Sequence, residues 1–211
     1  MKKLTIAFAF LASSLAHAEA PAPATYADLI AKADAGEKVD FTALRRAYTA
    51  SPGYAPYSED SRTLFIDAFK ALDAHDCATA TAKAKQSLAI DYVNFALHGF
   101  LSECLEQAGD HAGAAREDAI RVGLIDSLTG SGDGKSVATA YVVVTMAEER
   151  ALLAINDVEE DEQALLMSNG HEFDRITGKG KDGQTHTMFF DVTAPFESLG
   201  RALEKPKGEP K

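Results

Sequence analysis

The sequence predicts an α+β fold in which N-terminal helical hairpins precede a small βαβββα unit containing an antiparallel meander, and three observations predict it. From Ser61 to Gly123 the chain has no Pro and few Gly, and its apolar residues recur at helical spacing. Within that stretch Asp76-Cys77-Ala78-Thr79-Ala80 aligns with Asp110-His111-Ala112-Gly113-Ala114 at an offset of 34 residues. Past Gly130 the period turns to alternation, with turn signals between short β-rich runs. Composition agrees: of 211 residues 46% are hydrophobic and 25% charged, which excludes low-complexity, collagen-like and charge-rich disordered chains. A formal net charge of −11 argues against nucleic acid as a partner, because an acidic surface repels phosphate and no Lys/Arg-dense stripe offsets it.

Residues 1–18 read as an export signal. Met1-Lys2-Lys3 is a basic start, Leu4 to Leu15 an apolar run, and Ala16-His17-Ala18 a small-x-small site that places cleavage between Ala18 and Glu19. The run is shorter than the ~20 residues a membrane span needs, and no Cys follows it to accept a lipid. Loss of Lys2 and Lys3 leaves the mature chain still more acidic. The expected product is periplasmic, with no stable membrane insertion after signal removal, since no later apolar run is long enough.

After an Ala/Pro linker over residues 19–25, residues 26–129 form the helical region. Tyr26, Leu29, Ile30 and Ala33 mark a first helix that Gly36 stops; Asp40 caps a second, with Phe41, Leu44 and Tyr48 on one side and the Ser51-Pro52-Gly53 turn at its end. Leu64, Phe65, Ala68, Phe69 and Leu72 form a wide helical face, and Tyr92 to Gln107 and Ala112 to Leu128 are amphipathic. An offset of 34 residues is the tetratricopeptide period, and the aligned segments correspond to the turn and the start of a second helix, where small residues allow close packing. A generic helical bundle is the alternative. In the repeat register Arg62, Phe65, Phe69, Leu72, Ala96, Gly99, Glu103 and Glu106 face the concave side and form a partner groove, unless the N-terminal helices fill it. Cys77 and Cys104 lie equally far from the turn between Ile90 and Asp91, so antiparallel helices bring the thiols level. In an oxidising compartment they pair, closing a loop worth roughly 3–4 kcal/mol in the chain-entropy model; if their Cβ vectors diverge they remain buried free thiols.

Residues 130–138 read as a Gly-rich hinge, with Asp133 turning the chain and Lys135 facing solvent. In the α+β unit, residues 139–204, Thr139 to Thr145 is a buried strand and Met146 to Asn156 a helix with Leu152, Leu153 and Ile155 inward. Ala164 to Ser168, His171 to Thr177 and Gln184 to Val192 are three meander strands, the first two joined by Asn169-Gly170, a two-residue hairpin signal. Pro195 starts a last helix with Phe196, Leu199 and Leu203 on one side. Residues 205–211 form a disordered tail.

Phe41-x-x-Leu44-Arg45-x-x-Tyr48, Tyr54-x-Pro56-Tyr57 and Ser131-Gly132-Asp133-Gly134-Lys135-Ser136 leading into Ala140-Tyr141-Val142-Val143, together with Asn169-Gly170-His171-x-Phe173-Asp174 and Phe189-Phe190-Asp191-Val192-Thr193-x-Pro195-Phe196, carry a likeness. The combination resembles the uncharacterised bacterial domain-of-unknown-function family DUF4919. The resemblance covers nearly all the mature chain and implies an exported protein with a tetratricopeptide-like middle; it brings no catalytic residues with it.

Sharper motifs fail on inspection. Gly134-Lys135-Ser136 ends like a phosphate loop, but Thr129 stands where the motif needs Gly, and the context runs helix to strand. His171, Asp174, His186 and Asp191 come from neighbouring strands, yet spacings of three and five put each His and its carboxylate on opposite faces; at most one His and one carboxylate converge. His75, His98 and His111 read as ordinary, partly exposed residues, and Glu159-Glu160-Asp161-Glu162 as a solvated loop. No cofactor is expected. What remains is a non-catalytic protein-binding or adaptor protein with a protein partner in the periplasm. An inhibitor or immunity-type variant is one alternative, and a hydrolase built on the C-terminal sheet with His171 and Asp191 is another; Asp133 and Lys135 join those two as candidate polar-site residues.

Overall fold

A computed structural model describes residues 24–204 of the chain. The expected leader with its Ala18/Glu19 cleavage site, all but the end of the linker, and the tail lie outside the described residues. Helices α1 (Tyr26–Asp34), α2 (Phe41–Thr49), α3 (Glu59–Asp73), α4 (Cys77–Leu88), α5 (Phe95–Gln107) and α6 (His111–Thr129) come first. A 3-10 turn (Val137–Thr139), β1 (Tyr141–Val142), α7 (Met146–Ile155), β2 (Val158–Ser168), β3 (His171–Gly180), β4 (Thr185–Asp191) and α8 (Thr193–Glu204) follow. The fold is α+β with the helices ahead of the sheet. Among the described residues no helix is long and apolar enough to cross a membrane.

Side-chain caps set most helix starts. Thr25 and Asp28 form a reciprocal capping box, and Asp40, Ser58, Asp76, Asp110 and Thr145 each accept a backbone N–H one turn on. Asp76 and Asp110 are the two aspartates of the sequence repeat, so the 34-residue offset marks the second helix of two successive hairpins, α3 with α4 and α5 with α6. Ala68, Ala84, Leu88, Leu97 and Leu101 fill the space between them. Cys77 and Cys104 form a disulfide with Cα atoms 5.2 Å apart, beside Ala71, Ala80 and Leu72. Helix α6 is buried on two sides: Ala114 packs towards α5, and Gly123 lies under the Phe41 ring, which a Cβ there would strike at 2.2 Å.

The sheet has the order β1-β4-β3-β2, with β1 parallel to β4 and the other pairs antiparallel. Asn169 and Gly170, both at positive φ, make the tight hairpin that pairs Ser168 with His171. Two expectations change here. The run Thr139 to Thr145 pairs with β4 only at Tyr141 and Val142; Val143 and Val144 are buried because the chain dives into the core to start α7, which Thr145 caps. The acidic run Glu159 to Glu162 belongs to β2, at the free edge of the sheet, where charged side chains stay in solvent and discourage edge pairing.

One core joins the two halves. Leu29, Leu44, Tyr48, Ile120 and Leu124 from the helices pack with Val143, Leu152, Ile176 and Phe190 from the α+β unit. At its centre Arg45 is buried with Glu148: Nε donates to Oε1 at 2.8 Å and Nη2 to Oε2 at 2.9 Å. Nη2 also donates to the Val142 carbonyl at 2.6 Å and Nη1 to Ser127 Oγ at 3.2 Å, while Glu148 Oε2 accepts the Val144 N–H at 2.7 Å. The loop between the halves is fastened as well. Asp133 and Gly134 donate backbone bonds to the Thr139 carbonyl, Phe189 N–H reaches the Gly134 carbonyl, and Asp133 accepts Thr139 Oγ1 at 2.6 Å.

Replacing Arg45 by Met should destabilise the protein by about 3–5 kcal/mol, because it strands a buried carboxylate. Arg45→Met with Glu148→Leu should recover part of that loss, with the Val144 N–H still unpaired; urea denaturation midpoints measure both. Cys77→Ala with Cys104→Ala should cost about 3–4 kcal/mol from the released loop, and dithiothreitol should lower the wild-type midpoint while leaving the double variant unchanged.

Candidate functional site

An open cleft lies between the first hairpins and α7. It has a volume of ≈ 640 Å³ and is walled by Phe65, Ile66 and Phe69 of α3, Ala96 and Phe100 of α5, and Met146, Ala147, Ala151, Ala154 and Ile155 of α7. Phe100 is the hub of the aromatic wall, with ring centroids 5.6 Å from Phe65 and 6.2 Å from Phe69. Phe69 and Ile155 are each 54% exposed and Tyr57 42%, so this surface is apolar and open. Pro56, Ser61, Asp91, Asn94 and Phe95, all buried, border its floor.

Each wall follows from local sequence. The α3 face repeats Phe65 and Phe69 at i, i+4, and Ala68 beside them is buried against the next helices, turning both rings to one side of the array. In α7 the residues following the Thr145 cap divide. Glu148, Glu149, Leu152 and Leu153 point inward and are buried, whereas Met146, Arg150, Ala154 and Ile155 face the cleft. Ile155, expected inward, is a rim residue.

Of the residues expected in a concave groove, Arg62, Phe65, Phe69 and Ala96 line this cleft. Leu72 packs beside the disulfide instead. Gly99, Glu103 and Glu106 border a separate shallow depression between α5 and α6 with His111 and Asp118. The groove is closed by α7, not by α1 and α2, which pack on the α6 side. That is why the lower half of the repeat register falls outside it.

Two buried carboxyls next to the cleft have displaced titrations. Burial, then the charge of Glu148, pushes Asp91 up to about 7, against a Val93 N–H bond that lowers it. Burial and the charge of Asp174 push Glu149 up to about 8, with Glu160 adding and Arg150 opposing. Asp91 Oδ1 and Glu149 Oε2 are buried without a hydrogen-bond partner. Asp174 itself accepts from Gln163 Nε2 at 2.6 Å. The tyrosines around the junction are raised too: burial comes first for Tyr26, Tyr48 and Tyr54, and the Tyr48 hydroxyl donates to the Ile90 carbonyl, that of Tyr54 to Val144.

The polar residues expected on the C-terminal half do not form one site. His171 Nδ1 stands 3.3 Å from Asp191 Oδ2 and 3.3 Å from Thr193 Oγ1 at the end of the sheet, with the ring exposed. Asp174 lies on the other, buried face of β3, as alternation requires, and His186 pairs with Asp182 in the hairpin. Asp133 and Lys135 belong to the fastened loop, paired to each other at 3.5 Å. His98 corrects another expectation: it is buried, 2.7 Å from Glu117 Oε2 and 2.9 Å from the Tyr92 carbonyl, bracing α5 on α6.

The model of the family described as a domain of unknown function (DUF4919) matches residues 30–200. The chain belongs to that family. No curated protein and no solved structure matches it. In this DUF4919 protein Phe41, Leu44, Arg45 and Tyr48 on α2 meet Tyr54, the Val142 to Val144 segment and Glu148 at the junction beneath the cleft. Asp91, Glu148, Glu149, Met146 and Arg150 escaped the sequence reading. The signal was there for two of them, since Glu148 and Glu149 share the i, i+3, i+4, i+7 face of Thr145 and Leu152, a face that the helix buries.

Because both raised carboxyls hold protons in the folded state, their contribution to stability is complete below about pH 4 and is lost as pH rises through about 7 for Asp91 and about 8 for Glu149. Thermal unfolding midpoints should therefore fall between about pH 5 and 8. Asp91→Asn with Glu149→Gln should flatten that slope. His111, raised by its bond to Glu106 and acting in the same direction, is present in both proteins; equal slopes would show that the two buried carboxyls do not titrate in this range.

Proposed function

We propose that this DUF4919 protein is an exported, periplasmic, non-catalytic binding protein whose two helical hairpins form a tetratricopeptide-like array, and that the cleft between that array and α7 receives a protein partner. The observation that carries the reading is the open apolar wall. Phe65, Phe69, Phe100 and Ile155 border one cleft of ≈ 640 Å³, and side chains of this size are left uncovered mainly at interaction surfaces. The leader at residues 1–18 and the Cys77–Cys104 disulfide both support an oxidising, extracytoplasmic setting. The acidic net charge favours a basic partner; a captured basic envelope enzyme that loses activity on binding would specify the inhibitor variant of this reading.

The exposed His171–Asp191 pair favours the second reading, a hydrolase at the sheet end, in which the carboxylate orients the ring for general-base work. The two readings separate cleanly. A photocrosslinking amino acid at position 69, on the open rim, should capture a stoichiometric protein in the periplasm, whereas the same group at position 115 on α6 should not. Phe69→Ala and Ile155→Ser, both at positions more than half exposed, should abolish capture while moving the unfolding midpoint by no more than a small surface change does. Retained capture in the double variant removes the cleft as the binding site. An activity lost on His171→Ala alone would establish the hydrolase instead.

A further inference from the structure

The floor of the cleft holds a carboxyl oxygen with no counterpart. Asp91, 4% exposed, lies in the turn between α4 and α5 and borders the cleft beside Asn94 and Phe95. Its Oδ1 is buried and has no hydrogen-bond partner. The titratable groups packed around it supply no cation. Tyr26 of α1 and Tyr48 of α2 are phenols held un-ionised by burial, and Glu148 of α7 is already bound through both oxygens to Arg45. A buried carboxylate oxygen without a donor is costly, and folded proteins keep few of them. At the rim Arg62 donates to Glu59 at 2.9 Å, while Arg150 faces the cleft from α7. The cleft is thus an apolar channel with one unmet acceptor at its base.

We propose that the cleft receives a peptide segment in which apolar side chains flank one basic residue, the apolar groups lying on Phe65, Phe69, Phe100 and Ile155 and the Lys or Arg head donating to Asp91. This rests on the binding reading above and names the chemistry of the partner. A cleft of ≈ 640 Å³ accommodates a few side chains rather than a folded surface, and a site built to hydrogen-bond a group rejects the analogue lacking it. A basic segment is also what a chain of net charge −11 steers towards itself.

The test is selection of a phage-displayed library of random short peptides on the purified mature protein. Enriched peptides should share a Lys or Arg flanked by Leu, Ile or Phe. Replacing that Lys by norleucine, which removes only the ammonium, should weaken binding by about tenfold or more, a step that corresponds to one charge-assisted hydrogen bond. Asp91→Asn should bind the lysine and norleucine peptides equally, whereas Phe69→Ala should weaken both by the same factor. Carbodiimide coupling on the wild-type protein gives an answer that needs no variant to fold: the peptide lysine should become joined to Asp91 in the mass-mapped product. Enrichment of apolar peptides with no basic residue, enrichment of acidic ones, or coupling to Glu59 would overturn the Asp91 assignment while leaving the cleft as a binding site. Enrichment of nothing would overturn both.

Discussion

The pairing of Arg45 with Glu148 is the constraint on which the rest of the arrangement depends. It ties α2 to the end of α6, to β1 and to the first turn of α7 through one guanidinium whose donors are almost all used. A buried ion pair adds little net stability over a well-packed apolar pair, since desolvation consumes most of the attraction. Its effect is on specification. Any register of α7 against α2 that displaces Glu148 by one residue leaves both a cation and an anion in the core, so alternatives to the observed packing are expensive. The Val144 N–H completes the geometry from the backbone side, fixing where the chain stops being strand and starts being helix.

That fixed register is what creates the cleft. With Glu148 and Leu152 held inward, the intervening positions of α7 are forced outward. Met146, Arg150, Ala154 and Ile155 then stand opposite the Phe65 and Phe69 face of α3. Neither half contains this surface alone: the hairpins contribute the aromatic wall, the α+β unit the aliphatic one, and the turn holding Asp91 and Asn94 the floor. The shared apolar core ends beneath the cleft, and the polar tether within it holds the two walls apart. The gap is lined by residues too apolar to be ordinary surface.

Much of the fold was legible in the sequence because local chemistry and tertiary packing agree. Asp40, Asp76 and Asp110 cap as their positions suggest, Asn169-Gly170 turns the hairpin, and level cysteines meet. The misreadings fall where an apolar or charged run has a reason other than its periodicity. Val142 to Val144 looks like a strand core, yet Val142 is exposed and the burial of Val143 and Val144 comes from leading into α7. Glu159 to Glu162 looks like a loop, yet a free sheet edge tolerates acids as well as a loop does. The groove was half legible: a repeat register places Phe65 and Phe69, but no periodicity within the hairpins announces that a helix some eighty residues later will form the facing wall. Arg45 could have been suspected, since it occupies the same i, i+3, i+4, i+7 stripe as Phe41, Leu44 and Tyr48. A charge on a buried stripe demands a partner, and the sequence does not say which of thirty-two acids provides it.

Glu148 and Asp91 show how differently one interior can treat two carboxylates. They lie near enough for the charge of one to raise the pKa of the other, and among the described residues only Glu148 of the two has an ion pair, with Arg45. Arg45 is a planar fork, and Glu148 presents both oxygens to it, so the bidentate geometry satisfies that acid completely and cannot be shared. Asp91, in the α4–α5 turn, is left with one oxygen unmet and with the phenols of Tyr26 and Tyr48 near it. Were this a purely structural turn, an Asn would fill the position without a titratable group. The carboxyl instead borders the open cleft, where a donor from outside can enter.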